Sequence, residues 1–92
     1  MISSFRHKGL QRFFETGSPR ALSTRDDKRI SRILRALEAA SRPQDMDMPG
    51  LRFHSLTRDQ NGRYSVRVTG NWRITFGWDG EDATGVDLED YH

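Results

Sequence analysis

Between Tyr64 and Trp78 the chain alternates apolar and polar side chains in two runs, separated by a short break that contains a glycine. Tyr64, Val66 and Val68 alternate with Ser65, Arg67 and Thr69, and Trp72, Ile74, Phe76 and Trp78 alternate with Arg73, Thr75 and Gly77. Successive side chains on a strand point to opposite faces, so each run reads as a strand with one buried face and one polar face. The turn then sets the register. If Gly70 and Asn71 alone made the turn, Thr69 would face Trp72 and Val68 would face Arg73, setting an apolar face against a polar one. With Thr69, Gly70 and Asn71 as a three-residue loop, Val68 pairs with Trp72, Val66 with Ile74 and Tyr64 with Phe76, and the apolar sides agree. This second register is the expected one, and it places Arg67 directly across from Arg73.

The first half of the chain has a different period. In "RHKGLQRFFETG", Leu10, Phe13 and Phe14 share helical spacing, and Gly17 is a C-terminal stop. A longer helix opens at Thr24 as N-cap, with Asp27 three residues on, and carries Ile30, Ile33, Leu34 and Leu37 at i, i+3, i+4 and i+7. Pro43 ends it near Ser41. "ISSF" reads as a short first strand, "RPQDMDMPG" as an irregular loop, and "ATGVDLED", with Val86 and Leu88, as a last strand after the turn at "WDGED". Helices first and antiparallel strands afterwards predict an α+β fold, two N-terminal helices packed on a curved antiparallel β-sheet, in one domain spanning residues 1–92.

At 92 residues the chain has room for one small core, so any site is expected to be shallow. It has no cysteine, and charges interrupt its first residues too often for a signal peptide or a membrane span. A reducing cytoplasm is the expected location. Residues 1–42 carry ten Lys/Arg against four Asp/Glu, and residues 43–92 carry five against nine, so the net charge of +2 conceals a basic half and an acidic half. Arg25, Lys28, Arg29, Arg32 and Arg35 fall on the outer face of the longer helix, as either a surface for phosphates or a solvated helix face.

Two arginines opposed on neighbouring strands repel, and an anion between them would resolve the conflict. Guanidinium groups bind phosphate bidentately and stay charged at physiological pH, which suits a polyphosphate backbone or a transition state gaining negative charge. The alternative is that Asp87 and Glu89, on the adjacent last strand, neutralise both. His54 and His92 are the histidines of the strand region, each a structural residue or a general acid or base. No HExxH, paired cysteines or close His/Asp cluster points to a metal. Tyr64, Trp72, Phe76 and Trp78 read as core, whereas Tyr91 follows the polar phase of Asp87 and Glu89 and could stack on an unpaired base.

"HSL", "GNWRITF" and "EDYH", in this order in a chain of this length, resemble HigB-type toxins of the RelE/ParE toxin superfamily. The resemblance runs from "MISSFRHKGL" to the last residue. It implies a compact RelE/ParE-like domain and a ribosome-dependent mRNA interferase that acts in the A site of the 70S ribosome without a cofactor. It also implies silencing by a HigA-like helix-turn-helix antitoxin, with the toxin as a monomer within that complex. The family's functional positions fall on His54, Arg73, Asp90, Tyr91 and His92. The resulting expectation assigns charge stabilisation to Arg73 and acid/base work to His54 and His92, in either order. Stacking or orientation falls to Tyr91, and orientation of His92 to Asp90. Arg67 would help to bind phosphate. Relatives usually carry "LKG" where this chain has "LTR", so either Arg58 supplies, from one position along, the charge that Thr57 lacks, or it points elsewhere, because neighbouring strand residues face opposite ways, and cleavage is weaker or differently selective. Two other readings are a gyrase poison of the ParE type and a noncatalytic nucleic-acid or antitoxin-binding module.

Overall fold

A computed structural model describes residues 1–22, 26–56 and 62–90. Helix α1, Lys8–Thr16, begins where His7 Nδ1 accepts the Leu10 N–H at 2.9 Å, so an imidazole acts as N-cap. It ends at Gly17, whose φ of 79° lets its N–H return to the Phe13 carbonyl at 2.8 Å. Gly9 is required for another reason: a Cβ there would lie 2.5 Å from the Ala21 carbonyl oxygen, so α1 meets the following segment backbone to backbone. Helix α2, Asp27–Ala39, buries the expected quartet of Ile30, Ile33, Leu34 and Leu37. Its N-cap position is Asp26, and Thr24 lies outside the described residues. The helix stops at Ala39, shortly before Ser41, and Ala40 is already extended.

Two expectations are corrected here. The segment read as an irregular loop contains a 3-10 helix, Pro43–Met46, with Pro43 at its first turn and Met46 fully buried. Asp45 accepts the Ser41 N–H at 2.8 Å and Arg42 Nε at 3.2 Å, and these bonds hold its carboxyl below the usual carboxylate range. "ISSF" forms no strand of its own; Ile2 and Phe5 make isolated parallel bridges to Ala83 and Val86. Hydrogen bonds from Ser3 N to Ala83 O at 2.8 Å and from Val86 N to Ser4 O at 3.0 Å satisfy groups on the outer edge of the last strand.

The sheet contains β1 (His54–Ser55), β2 (Arg63–Thr69), β3 (Trp72–Trp78) and β4 (Ala83–Asp90), in the order β1-β2-β3-β4 with every neighbour antiparallel. Val66, Val68, Ile74, Phe76, Val86 and Leu88 join the helix residues, Met46 and Leu51 in one hydrophobic core. Tyr64 stacks between Phe53 and Phe76, with both ring separations at 5.6 Å.

The central hairpin pairs Tyr64 with Phe76, Val66 with Ile74 and Arg67 with Arg73, as expected. At the turn, however, Thr69 rather than Val68 faces Trp72, because the register shifts between Arg67 and Thr69. A bulge accommodates one extra residue in β2, so a two-residue turn coexists with matched apolar faces. Val68 stays buried despite losing its predicted partner. A second irregularity, between Thr75 and Gly77, is taken up in β4 at Gly85, whose φ is 54°.

Candidate active site

The side of the sheet that faces away from Val66 and Ile74 is polar, and the register arranges its side chains in cross-strand rows. One row runs His54, Ser65, Thr75, Asp87; the next runs Arg67, Arg73, Glu89. The two arginines are therefore opposed as predicted, and both are half-buried. They converge on one acceptor: Arg67 Nε and Arg73 Nη1 donate to the Gly70 carbonyl oxygen at 3.4 and 3.2 Å, and Arg73 Nη1 also reaches the Trp72 carbonyl at 3.3 Å. These bonds are long for N–H···O and their acceptors are neutral, so an anionic oxygen would replace them favourably.

The counter-charge alternative is not what the structure shows. Glu89 lies opposite Arg73 and Asp87 opposite Thr75, but their carboxylates are turned elsewhere. Glu89 Oε2 accepts a hydrogen bond from Thr75 Oγ1, and Asp87 Oδ1 accepts from the Leu88 N–H at 2.9 Å. The ion pairs among the described residues are Met1 with Asp82 and Arg42 with Asp45, so neither Arg67 nor Arg73 takes part in one there.

His54 lies on the short edge strand, exposed and opposite Ser65, in the row beside the arginines. Strand spacing puts its Cα about 12 Å from that of Arg73, a span that two long side chains can share with one phosphodiester between them. Asp90 is the last residue of β4 and is exposed. It pairs with Trp72, so the strand alternation directs it to the opposite face from Arg73 and Glu89. Tyr91, His92, Thr57 and Arg58 lie outside the described residues. Among the residues expected at the site, the structure thus brings Arg67, Arg73 and His54 to one face and sets Asp90 at the sheet's end in the other phase.

Three participants in this face were missed or given another role by sequence reasoning. Arg63, 9% exposed, donates through Nη2 to Thr75 Oγ1 at 3.1 Å and to the Gly85 carbonyl at 2.8 Å, and Thr75 passes its own hydrogen to Glu89. The alternation Arg63, Ser65, Arg67 carried the signal, since it places a further cation in phase with Arg67. Among the described residues no group of three His, Asp or Glu side chains is placed to hold a metal ion.

On the helical side, exposed Lys28, Arg32 and Arg35 rim a groove floored by Phe13, Phe14 and Leu34. Arg29 turns away from it and donates to the Gly50 carbonyl at 2.9 Å, while Arg25 lies outside the described residues. No helix among the described residues is long and apolar enough to cross a membrane.

Comparison with known proteins finds relatives along nearly the whole chain. A family described as the RelE-like toxin HigB of type II toxin–antitoxin systems matches residues 3–92. The chain is 38% identical to a protein named Endoribonuclease HigB from Proteus vulgaris over 92 residues, covering all of both chains. It is 31% identical over 93 residues to Toxin HigB-1 of Vibrio cholerae serotype O1, covering 99% of this chain and 94% of that one.

Proposed function

The chain belongs to the HigB family of RelE-like toxins of type II toxin–antitoxin systems, and from that premise we propose that it is an endoribonuclease that cuts translated mRNA in the ribosomal A site. Full-length similarity to a relative named as an endoribonuclease supports the RNA-cleaving chemistry. The observation that carries the reading is the opposed pair Arg67 and Arg73, half-buried, held among the described residues by neutral carbonyls and lying in the row beside exposed His54. Two opposed guanidiniums repel each other, and a phosphodiester bound between them would relieve that repulsion while accepting hydrogen bonds from both.

Cleavage proceeds by attack of the ribose 2′-oxygen on the adjacent phosphorus. A base removes the 2′-hydroxyl proton, cationic groups stabilise the five-coordinate phosphorane-like transition state, and an acid protonates the departing 5′-oxygen. The products are a 2′,3′-cyclic phosphate and a 5′-hydroxyl. Arg73 supplies the charge at phosphorus and Arg67 holds the neighbouring phosphate. Acid and base are His54 and His92, with Tyr91 stacking on or orienting the substrate, Asp90 orienting His92, and Arg58 adding charge. These side chains perform each proton transfer and charge contact without a cofactor, from one toxin domain spanning residues 1–92.

A toxin of a type II system has an antitoxin partner. We take this one to be a HigA-like helix-turn-helix protein that binds the chain as a monomer, with the exposed cations of α2 aiding association. The ribosome as site of action places the toxin in the cytoplasm.

The test is single-turnover cleavage on programmed 70S ribosomes with wild type, a variant lacking His92, and mRNA carrying a 2′-deoxy sugar at the scissile nucleotide. Only wild type on all-ribose mRNA should cut. Full activity of the deletion variant removes His92 from the chemistry, and cutting of the deoxy substrate removes the mechanism.

A further inference from the structure

On the polar face of the sheet, a cation and a carboxylate that the register sets side by side do not meet. Arg73 and Glu89 are directly opposed on β3 and β4, at a spacing where unlike charges ordinarily pair. Their side chains lean in opposite directions instead. Arg73 bends toward the hairpin turn and donates to the Gly70 carbonyl at 3.2 Å. Glu89 bends away from the turn, toward Thr75, whose hydroxyl donates to its Oε2.

The direction of that hydroxyl follows from its neighbours. Arg63 Nη2 donates to Thr75 Oγ1 at 3.1 Å, and a guanidinium can only donate, so the single hydroxyl hydrogen is left for Glu89. Arg63 is itself fixed by the 2.8 Å bond from Nη2 to the Gly85 carbonyl. It also passes close to two glycines: a Cβ added at Gly85 would come within 3.1 Å of Arg63 Nη1, and one at Gly77 within 3.7 Å. Thr75 is fully buried and Arg63 nearly so, which keeps the two donors in place.

Resting on the RNA-cleaving reading above, we propose that Thr75, aimed by Arg63, is a positioning residue that withholds the Glu89 carboxylate from Arg73. The Arg67/Arg73 pair thereby meets an incoming phosphodiester with its charge uncompensated. Without the Thr75 hydroxyl, Glu89 turns to Arg73, and a phosphate must then displace a carboxylate rather than a neutral carbonyl.

Thr75→Val keeps the size and β-branching of the side chain and removes only the hydroxyl. On programmed ribosomes its KM for mRNA should rise about tenfold while kcat changes less, the pattern of an interaction lost from binding. Thr75→Ser, which keeps the hydroxyl, should rescue, and adding Glu89→Gln to Thr75→Val should restore most of the KM because the freed side chain no longer carries charge. A Thr75→Val defect that Glu89→Gln leaves untouched would overturn the proposal. If Thr75→Val does not fold, the Glu89 carboxyl carbon can be titrated by NMR in wild type and in Arg73→Gln. A midpoint that moves by less than about half a pH unit supports withholding, and a larger rise means that Glu89 pairs with Arg73 and overturns it. The titration uses no RNA, so it judges the relay separately. Failure of wild type to cut mRNA would sink the functional reading alone.

Discussion

The two faces of the sheet are both buried over much of their area, but by different physics. On the helix side, Val66, Ile74, Phe76 and Val86 are fully covered by α1, α2 and their neighbours. That burial is non-directional and depends on filled volume. On the other side, Ser65, Thr75 and Arg63 are buried as polar groups, and Thr75 and Arg63 are tied together by bonds that must point correctly. A buried polar group without its partner costs more than the bond contributes when made. The first face should therefore respond to changes in size and the second to changes in a single donor or acceptor. Arg67 and Arg73, the proposed phosphate-binding pair, lie on the second face, where hydrogen-bonded side chains can hold a charge at a fixed place, which apolar packing cannot.

This contrast gives an ordered set of expectations. Phe76→Ala should destabilise the fold by about 3–5 kcal/mol, while Phe76→Leu should cost far less because most of the volume remains. Denaturant unfolding measures both, and a Phe76→Ala loss below about 1 kcal/mol would show that the helix-side core is not closely packed. On the polar face the order reverses. Arg73→Ala should cut single-turnover cleavage by roughly 100-fold while its unfolding midpoint stays near that of wild type. Arg67→Ala should lose less, on the order of tenfold. Wild-type cleavage by Arg73→Ala would reduce the opposed arginines to surface residues and dissolve the distinction between the faces.

The smallest effect belongs to the turn between β3 and β4, which lies on neither face. Asp79 Oδ1 accepts the N–H groups of Asp82 at 2.7 Å and Glu81 at 3.0 Å, and these bonds, the one from Asp82 first, lower its pKa. A carboxyl with a lowered folded pKa stabilises the fold fully above its unfolded value of 3.8 and loses that contribution as the pH falls through the folded value. Asp79→Asn should accordingly be slightly less stable than wild type at neutral pH, with the gap closing in acid. Parallel unfolding curves at pH 7 and pH 3 check this, and a gap undiminished at pH 3 would mean that the turn's stability is independent of the carboxylate charge.

Features whose cause is local were legible from the residues alone. The helical spacing of Ile30, Ile33, Leu34 and Leu37, the stop at Gly17 and the alternation through Tyr64 to Trp78 all appear in the structure, because each depends on side-chain period or on the backbone freedom of one residue. The opposition of Arg67 and Arg73 was equally accessible, since matching two apolar faces leaves few registers. Pairing across long sequence separations was not. Nothing in "ISSF" specifies parallel bridges to a strand some eighty residues away, and nothing in "RPQDMDMPG" shows that Met46 fills the core. The bulge at Val68 needed the turn and both strands together, because it reconciles two registers that exclude each other on a regular ladder. The same holds at the site. Sequence placed Glu89 near Arg73 with opposite charge, but only the folded chain decides which neighbour takes the carboxylate, because a hydrogen bond depends on the direction of the donor. Here that direction is set by Arg63 and Thr75, twelve residues apart in the chain and joined across two strands.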